Sequence, residues 1–418
     1  MKVELITIGN ELLSGHTTDT NSAWMAKQLS DMGILTSRIT SVSDSFDNLV
    51  SILEEAGKRA DIIIMTGGLG PTSDDITKPA LCSFFETRLV FRPDIFEHIK
   101  SLLSQRSCSI NDHNHRQAEI PESATALKND LGTAPGLWFE KEGKIFISLP
   151  GVPFEMKELI NKRVIPELRK IFSFPVIYFK TVITQGSFEA HLAEELKDFE
   201  AELPENMTLA YLPSPGIIRL RFAITGDEIE KLKIETGRQI EKLWQIIPEY
   251  IVGFDDDTLE KIVGELLTER KQTLSVAESC TGGTIASMIT GVPGSSAYFK
   301  GGIVAYSNEI KRDQLAIDNS LINKYGAVSK QIVEDMATNT RLLFNTDYSI
   351  AVSGIAGPSG GSEDKPVGTT WIAVSSNKIT RSYMFRFGDN RQRNIQKASV
   401  SALNLLRKLI LEELQVIN

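Results

Sequence analysis

Asp61-Ile-Ile-Ile-Met-Thr66, followed at once by Gly67-Gly68-Leu69-Gly70-Pro71, decides the fold class of the first part of this chain. A continuous apolar run of strand length suits a parallel strand buried on both faces. The glycines then turn the chain at the strand's carboxyl end. Val3 to Ile8 leads in the same way into Gly9-Asn-Glu-Leu-Leu-Ser-Gly15, and Ile145 to Leu149 ends in Pro150-Gly151-Val152-Pro153. Thr20 to Gly33 reads as a helix with Trp24, Ala26 and Leu29 on one face. Strands alternating with helices predict an α/β sheet. Ligands of such sheets sit beyond the carboxyl ends of the strands, where the Gly-rich loops fall.

The pattern changes near Pro175. Val176 to Thr184 reads as a strand and Glu189 to Phe199 as a helix. Ile217 to Thr225 alternates through Arg219 and Arg221 like a half-exposed strand, and Asp227 to Ile247 reads as a long helix. This α+β stretch carries no obvious chemical residues and reads as a spacer or dimerisation piece. Asp255-Asp256-Asp257 marks a linker and helix start. A third module then has its own strand–loop–helix units: Thr273 to Ala277 into Glu278-Ser279-Cys280-Thr281-Gly282-Gly283, and Tyr348 to Val352 into Ser353-Gly354-Ile355-Ala356-Gly357-Pro358. Asn390 to Glu413 reads as a final amphipathic helix. The predicted organisation is three domains: α/β over 1–174, small α+β over 175–254, and α/β over 255–418. A chain of 418 residues accords with it, at roughly 100–200 residues per domain.

Composition excludes several classes. Apolar residues make up 41% and charged residues 24%, which is ordinary globular composition rather than a disordered or collagen-like chain. The net charge of −9 gives no support for direct nucleic-acid binding. All of it lies before residue 255, with 27 Lys and Arg against 36 Asp and Glu there and 18 against 18 afterwards. Three cysteines far apart in sequence, Cys82, Cys108 and Cys280, fit a reducing compartment. No apolar run reaches the roughly 18 residues of a membrane helix, and the first residues read as a strand rather than a signal peptide. The expected location is the cytoplasm.

Histidine counting narrows the chemistry of the third module. The five histidines are His16, His98, His113, His115 and His191, so none lies after residue 191. A Ser-His-Asp or Cys-His hydrolase and a His-rich zinc site are therefore excluded for this module acting alone. A serine nucleophile there needs another base, and lysine is the known substitute. Ser279 lies where an apolar strand turns into a helix. There the amides of Cys280 to Gly283 can face a developing oxyanion, and Gly282 and Gly283 allow close backbone approach. A simpler role competes, in which Ser279 or Thr281 is only a helix N-cap. Gly301-Gly-Ile-Val-Ala-Tyr306-Ser-Asn308-Glu-Ile-Lys311 is again strand then helix, and a buried Lys311 can act as a base. The competing role for Lys311 is a solvated surface lysine.

These residues carry a resemblance. Ala277-Glu-Ser-Cys-Thr-Gly-Gly283, Gly294-Ser-Ser296, Gly301 to Asn308 with Lys311, Gly326-Ala-Val-Ser329, and Ser353 to Pro358 with Lys365-Pro-Val-Gly-Thr369 resemble the CinA C-terminal domain. That family includes nicotinamide mononucleotide deamidases of the PncC type. The resemblance implies hydrolysis of the carboxamide of nicotinamide mononucleotide to nicotinate mononucleotide and ammonia, without a metal or other cofactor. It implies Ser279 as nucleophile and Lys311 as general base, with Tyr306 beside them. Ser295, Ser296 and Ser353 would lie on loops around the substrate, and Arg391 would meet the nucleotide. Gly388-Asp-Asn-Arg391 carries one residue more than the family's Gly-Asp-Arg. Cys280 is a rival nucleophile with no histidine to activate it.

In the first module the Gly67-Gly68-Leu69-Gly70 loop lacks the Gly-Lys-Ser/Thr of a Walker A loop. Acids stand at the strand ends: Glu11 and Asp19 after the first strand, Asp74 and Asp75 after the glycines. Such a group suits a divalent metal on a diphosphate, while helix capping explains an acid there equally simply. Gly9 to Gly15 with Asp19-Thr-Asn21, Thr66-Gly-Gly-Leu-Gly-Pro-Thr72 with Asp74-Asp75-Ile-Thr77, and Pro150-Gly-Val-Pro153 with Glu155 and Met156 resemble the CinA N-terminal domain. Asn111, Asn114, Gln117, Ala118, Gly132 to Gly136 and the middle module's Gly186-Ser187-Phe188-Glu189 extend the match along the whole chain, as in a full-length CinA. That N-terminal domain is similar to the molybdopterin-binding MoaB/MogA fold. The resemblance implies an ADP-ribose pyrophosphatase that needs a divalent metal and is helped by potassium, with Gly67, Gly68, Gly70 and Thr72 as the phosphate loop and the four acids near the metal. It also implies action on NAD breakdown products, with nicotinamide mononucleotide and ADP-ribose as substrates; a homodimer is expected, and charge and hydropathy lead us to expect no direct nucleic-acid or membrane partner. Two other readings stand beside this one: a first domain that only binds a pterin or nucleotide, and an interaction protein of competence or DNA damage.

Overall fold

The computed structural model describes residues 1–72, 75–105 and 110–415. They form two compact units, residues 1–178 with 225–229, and residues 179–224 with 230–418. The first unit is built on a six-stranded sheet of order β2-β1-β3-β8-β7-β6. Its strands are β1 (Val3–Ile8), β2 (Thr36–Val42), β3 (Ile62–Thr66), β6 (Thr125–Leu127), β7 (Gly136–Lys141) and β8 (Lys144–Leu149), while β4 (Leu89–Phe91) and β5 (Glu119–Pro121) pair separately. β2, β1, β3 and β8 run parallel to one another, and β7 and β6 add antiparallel strands beyond β8 at one edge.

The parallel core matches the expectation from Asp61 to Thr66, since every residue of β3 is buried. Two apolar layers explain why. Ile6, Ile63 and Met65 pack on one side of the sheet with Leu49, Leu53 and Ala56 of the Phe46–Arg59 helix. Leu5, Ile62 and Ile64 pack on the other with Met25 and Leu29. The Thr20–Ser30 helix therefore buries Ser22, Met25 and Leu29, and Trp24 and Ala26 of the expected face are partly buried against the same cluster as Leu29. Spacing of three and four residues selects that stripe.

The second unit holds two sheets. The smaller has the order β10-β11-β9-β12 and is antiparallel between β10 and β11 and between β9 and β12. It comprises β9 (Val176–Thr184), β10 (Met207–Ser214), β11 (Ile217–Gly226) and β12 (Ile251–Phe254). The helix expected over Glu189 to Phe199 breaks at Leu196 into Glu189–Glu195 and Lys197–Ala201. The larger sheet has the order β14-β13-β15-β16-β17, from β13 (Leu274–Glu278), β14 (Phe299–Val304), β15 (Tyr348–Gly354), β16 (Thr369–Ser375) and β17 (Thr380–Arg386). β14, β13 and β15 run parallel, whereas β16 and β17 are antiparallel additions.

Helices Leu259–Arg270, Thr284–Thr290 and Arg391–Gln415 cover one face of this sheet. Helices Asn308–Leu315, Asn319–Tyr325 and Lys330–Phe344 cover the other. Ile183 of β9 and Val252 of β12 belong to the same apolar cluster as Leu259, Val400 and Leu406. The small sheet thus shares a core with the larger one. No helix among the described residues is long and apolar enough to cross a membrane.

Candidate active site

β13 ends at Glu278, and the turn Ser279 to Gly283 carries the chain into the Thr284–Thr290 helix. The amide of Ser279 donates to Val352 O at 2.9 Å, which ties the turn to the end of β15. Neighbouring β14 ends at Val304, opposite Glu278, and the Asn308–Leu315 helix follows it. Both strands therefore deliver a side chain to the same edge. Lys311 Nζ donates to Ser279 Oγ at 3.0 Å, to Ala305 O at 2.7 Å and to Tyr306 O at 3.5 Å. Lys311 is 1% exposed and Ser279 8%. Burial moves the lysine pKa below its ordinary value, because the charged form is the one that loses hydration. The solvated reading of Lys311 is thereby replaced.

The capping reading of Ser279 and Thr281 is replaced as well. The buried carboxylate of Glu278 accepts from the amides of Gly283 at 3.0 Å, Ile285 at 3.1 Å and Ala286 at 2.8 Å. It is Glu278 that satisfies the first turn of the helix. The Gly282 amide is also committed, to Ser279 O at 3.1 Å. Of the four amides expected to face an oxyanion, those of Cys280 and Thr281 are left without a main-chain or carboxylate acceptor among the described residues. Gly282 and Gly283 have φ of 62° and 99°, a conformation that glycine adopts without strain.

Cys280 is buried, and its thiol is pushed up to about 12 by that burial. A Cβ on Gly354 would stand 3.0 Å from its sulfur, so the sulfur packs closely against backbone. Inert packing, rather than attack, is what such a thiol does. Tyr306 is 60% exposed at the rim. Its hydroxyl accepts from Arg391 at 3.0 Å, and Arg391 also donates to Gly357 O at 2.8 Å. Ser279, Lys311, Tyr306 and Arg391 are thus linked in one continuous set of contacts. Ser353, at the end of β15, donates to Ala327 O at 2.8 Å and fixes a loop.

Ser295 and Ser296 stand apart from this set. They lie on a short 3-10 turn that precedes β14, and β14 starts opposite Leu274. Ser279 follows the other end of β13, so roughly 13 Å of strand lies between them. Their expected place around the substrate is corrected: within one chain they sit at the opposite end of the sheet. Glu278 was missed as a functional residue, although an acid closing an apolar strand is a legible signal of a buried acceptor.

In the first unit Gly67 has φ of 117°, and a Cβ there would meet the Ile8 carbonyl. Gly68 also lies in the left-handed region, at 63°. Asp75 accepts from the amides of Gly70 at 2.9 Å and Thr72 at 2.8 Å, and from Thr72 Oγ1 at 2.5 Å. Asp75 therefore shapes the loop from within. Asp74 lies outside the described residues. Asp19 caps the Thr20–Ser30 helix, accepting from Ser22 N at 2.9 Å and Ser22 Oγ at 2.5 Å. No group of three or more His, Cys, Asp or Glu able to hold a metal occurs among the described residues.

One small cavity, of about 170 Å³, nevertheless brings Glu11 and Asp19 together with Asn21 and Thr66. Asn21 Oδ1 is buried there without a partner, while its Nδ2 donates to Gly151 O at 2.8 Å. Lys78, which sequence reasoning missed, is buried at the start of the Thr77–Phe84 helix. It donates to Glu119 O at 2.8 Å and Gln117 O at 3.1 Å, and burial lowers its pKa to about 8.

Fold and site together define an α/β protein that carries a buried serine–lysine pair in its C-terminal part. The CinA C-terminal domain family matches residues 256–410, and the family described as "probable molybdopterin binding domain" matches residues 4–170. A CinA-like protein of Cytophaga hutchinsonii is 44% identical over 409 residues, 98% of each chain. A CinA-like protein of Flavobacterium psychrophilum is 44% identical over 414 residues, 99% of each chain. A solved structure, the competence/damage inducible protein CihA from Agrobacterium tumefaciens, is 36% identical and covers 36% of this chain and 93% of that one, with a TM-score of 0.36. The chain belongs to the CinA family.

Proposed function

We propose that the C-terminal part hydrolyses the carboxamide of nicotinamide mononucleotide, with Ser279 as nucleophile and Lys311 as base. The single observation that carries the reading is the 3.0 Å contact between Lys311 Nζ and Ser279 Oγ in a buried setting. A neutral Lys311 takes the Ser279 proton as Oγ bonds to the amide carbon, and the carbonyl oxygen becomes an oxyanion beside the Cys280 and Thr281 amides. Collapse breaks the carbon–nitrogen bond, and Lys311 returns its proton to the leaving ammonia. Water, giving a proton to Lys311, then cleaves the acyl ester and frees nicotinate mononucleotide and Ser279. Arg391 and Tyr306 offer donors to the nucleotide phosphate at the rim. No metal enters this scheme.

For the N-terminal domain the proposal is hydrolysis of ADP-ribose to AMP and ribose 5-phosphate. Glu11, Asp19 and the unpartnered Asn21 Oδ1 supply oxygen-only donors of the kind that a magnesium-type ion takes alongside substrate phosphates. When bound, such an ion would neutralise charge on the diphosphate. Gly67, Gly68 and Gly70 let the loop approach the phosphates. A binding-only role for this domain has its own support, in the commitment of Asp75 to its loop and of Asp19 to its helix. Product analysis of the whole chain with nicotinamide mononucleotide and with ADP-ribose, in parallel and with added magnesium, separates these readings. Ammonia without AMP supports a binding-only first domain; neither product removes both proposed activities.

A further inference from the structure

Arg391 and Arg393 begin the same helix two residues apart, so their side chains leave it about 200° apart. Arg391 turns to Tyr306 and the serine–lysine pair. Arg393 turns instead into a second cavity, of about 430 Å³, under the tip of the β10–β11 hairpin. That volume falls within the roughly 300–1,000 Å³ of small-ligand sites. Arg219 of β11 lines the same cavity and donates to Ser214 Oγ at 3.3 Å. Neither Arg219 nor Arg393 is paired with a carboxylate among the described residues. Leu259, Met288 and Val400 give the cavity an apolar side. The hairpin is closely seated: a Cβ on Gly216 would stand 3.3 Å from Val400 Cγ1.

Glu260 lies where this cavity joins a larger groove of about 670 Å³ that reaches Gly282 and Gly283, since Thr258, Glu260 and Met288 line both. Two unpaired guanidiniums facing an apolar wall select a phosphate attached to a ring system. A carboxylate at the junction accepts from ribose hydroxyls and repels a second phosphate. We propose that the cavity is a binding site for a nucleoside 5′-monophosphate. The phosphate lies between Arg219 and Arg393, the ribose hydroxyls donate to Glu260, and the base rests on Met288 and Val400. The small sheet, which showed no chemical residues in sequence, then contributes a ligand-binding arginine. The assignment is independent of the activity proposed for Ser279.

Calorimetry of the whole chain with AMP, ribose 5-phosphate and inorganic phosphate as separate probes tests it. One AMP site should weaken at least tenfold in Arg219→Ala/Arg393→Ala and persist in Arg391→Ala. AMP should bind at least tenfold more tightly than ribose 5-phosphate or inorganic phosphate. Glu260→Gln, which keeps volume and removes charge, should weaken AMP severalfold while leaving inorganic phosphate unweakened, so the proposal stays testable if the double variant folds poorly. An absence of saturable AMP binding overturns the site. So does AMP binding unchanged in the double variant, or lost only in Arg391→Ala. Equal affinity for AMP and inorganic phosphate overturns the nucleoside assignment.

Discussion

Lys311 Nζ lies 3.0 Å from Ser279 Oγ, and the two residues come from successive strand–helix units in the parallel part of one sheet. Their meeting follows from topology. β13 and β14 are paired neighbours from Leu274 and Phe299 to Glu278 and Val304, with one register shift after Leu274, so the first residues past each strand share an edge. Replacing Ser279 by Ala should reduce ammonia release from nicotinamide mononucleotide by at least a thousandfold, on the scale of lost nucleophilic catalysis. Cys280→Ala should keep most of the rate, because a thiol pushed up to about 12 is protonated at neutral pH. Steady-state assays of both folded variants check this, and a Cys280 variant that is the inactive one would reverse the assignment.

Lys311→Arg should be nearly as damaging as Lys311→Ala. Arginine keeps the charge but cannot release its proton at working pH. A lysine that only attracted the phosphate would be rescued by arginine. Near-native turnover in folded Lys311→Arg protein would leave Lys311 as an electrostatic anchor.

The pH dependence has a determined sign. Burial lowers the Lys311 pKa from 10.5, so the neutral form appears earlier than in an ordinary lysine. The rate should rise with pH through that lowered value and level off above it. Stability is linked in the same window. Between the lowered folded value and the unfolded 10.5, the unfolded chain binds more protons than the folded one. Lys311 therefore makes stability rise with pH there. Denaturant titrations at several alkaline pH values should show this gain in the native chain and its absence in Lys311→Met.

Glu278→Gln should cost about 1–3 kcal/mol of stability, since an amide offers one acceptor where three amides now share a carboxylate. The same change should lower turnover, because the turn that aims Ser279 starts at Glu278. Thermal melts and initial rates measured together check it; unchanged values for both would mean that the helix start holds without the acid.

The fragment 255–418 should fold and deamidate, but less stably than 179–418. The shorter piece loses Ile183 and Val252 from the shared core. Burial of each such side chain is worth about 1.5–3 kcal/mol. It also loses Gln185, whose side chain bonds to those of Ser401 and Asn404. Equal melting temperatures for the two fragments would show that the small sheet adds nothing to the core.

Much of this was legible in the sequence. β3 and the Ser279 turn announced themselves through apolar runs ending in glycines. The Lys311 pairing followed from the absence of histidine and from the family resemblance. What sequence could not supply was the direction of each side chain. Asp75 was visible as an acid after a Gly-rich loop, but only three dimensions show it folded back on Gly70 and Thr72. Ser295 and Ser296 were placed by motif order, which carries no information about which end of a strand a loop occupies. β2 escaped notice because none of its residues is buried, so it lacks an apolar pattern.

Mass spectrometry of the whole chain, quenched during turnover of nicotinamide mononucleotide and digested, tests the serine–lysine mechanism most directly. An acyl ester on Ser279, absent from Ser279→Ala, is the expected result. Ammonia release by Ser279→Ala at the native rate, or an adduct on Cys280 instead, would contradict it.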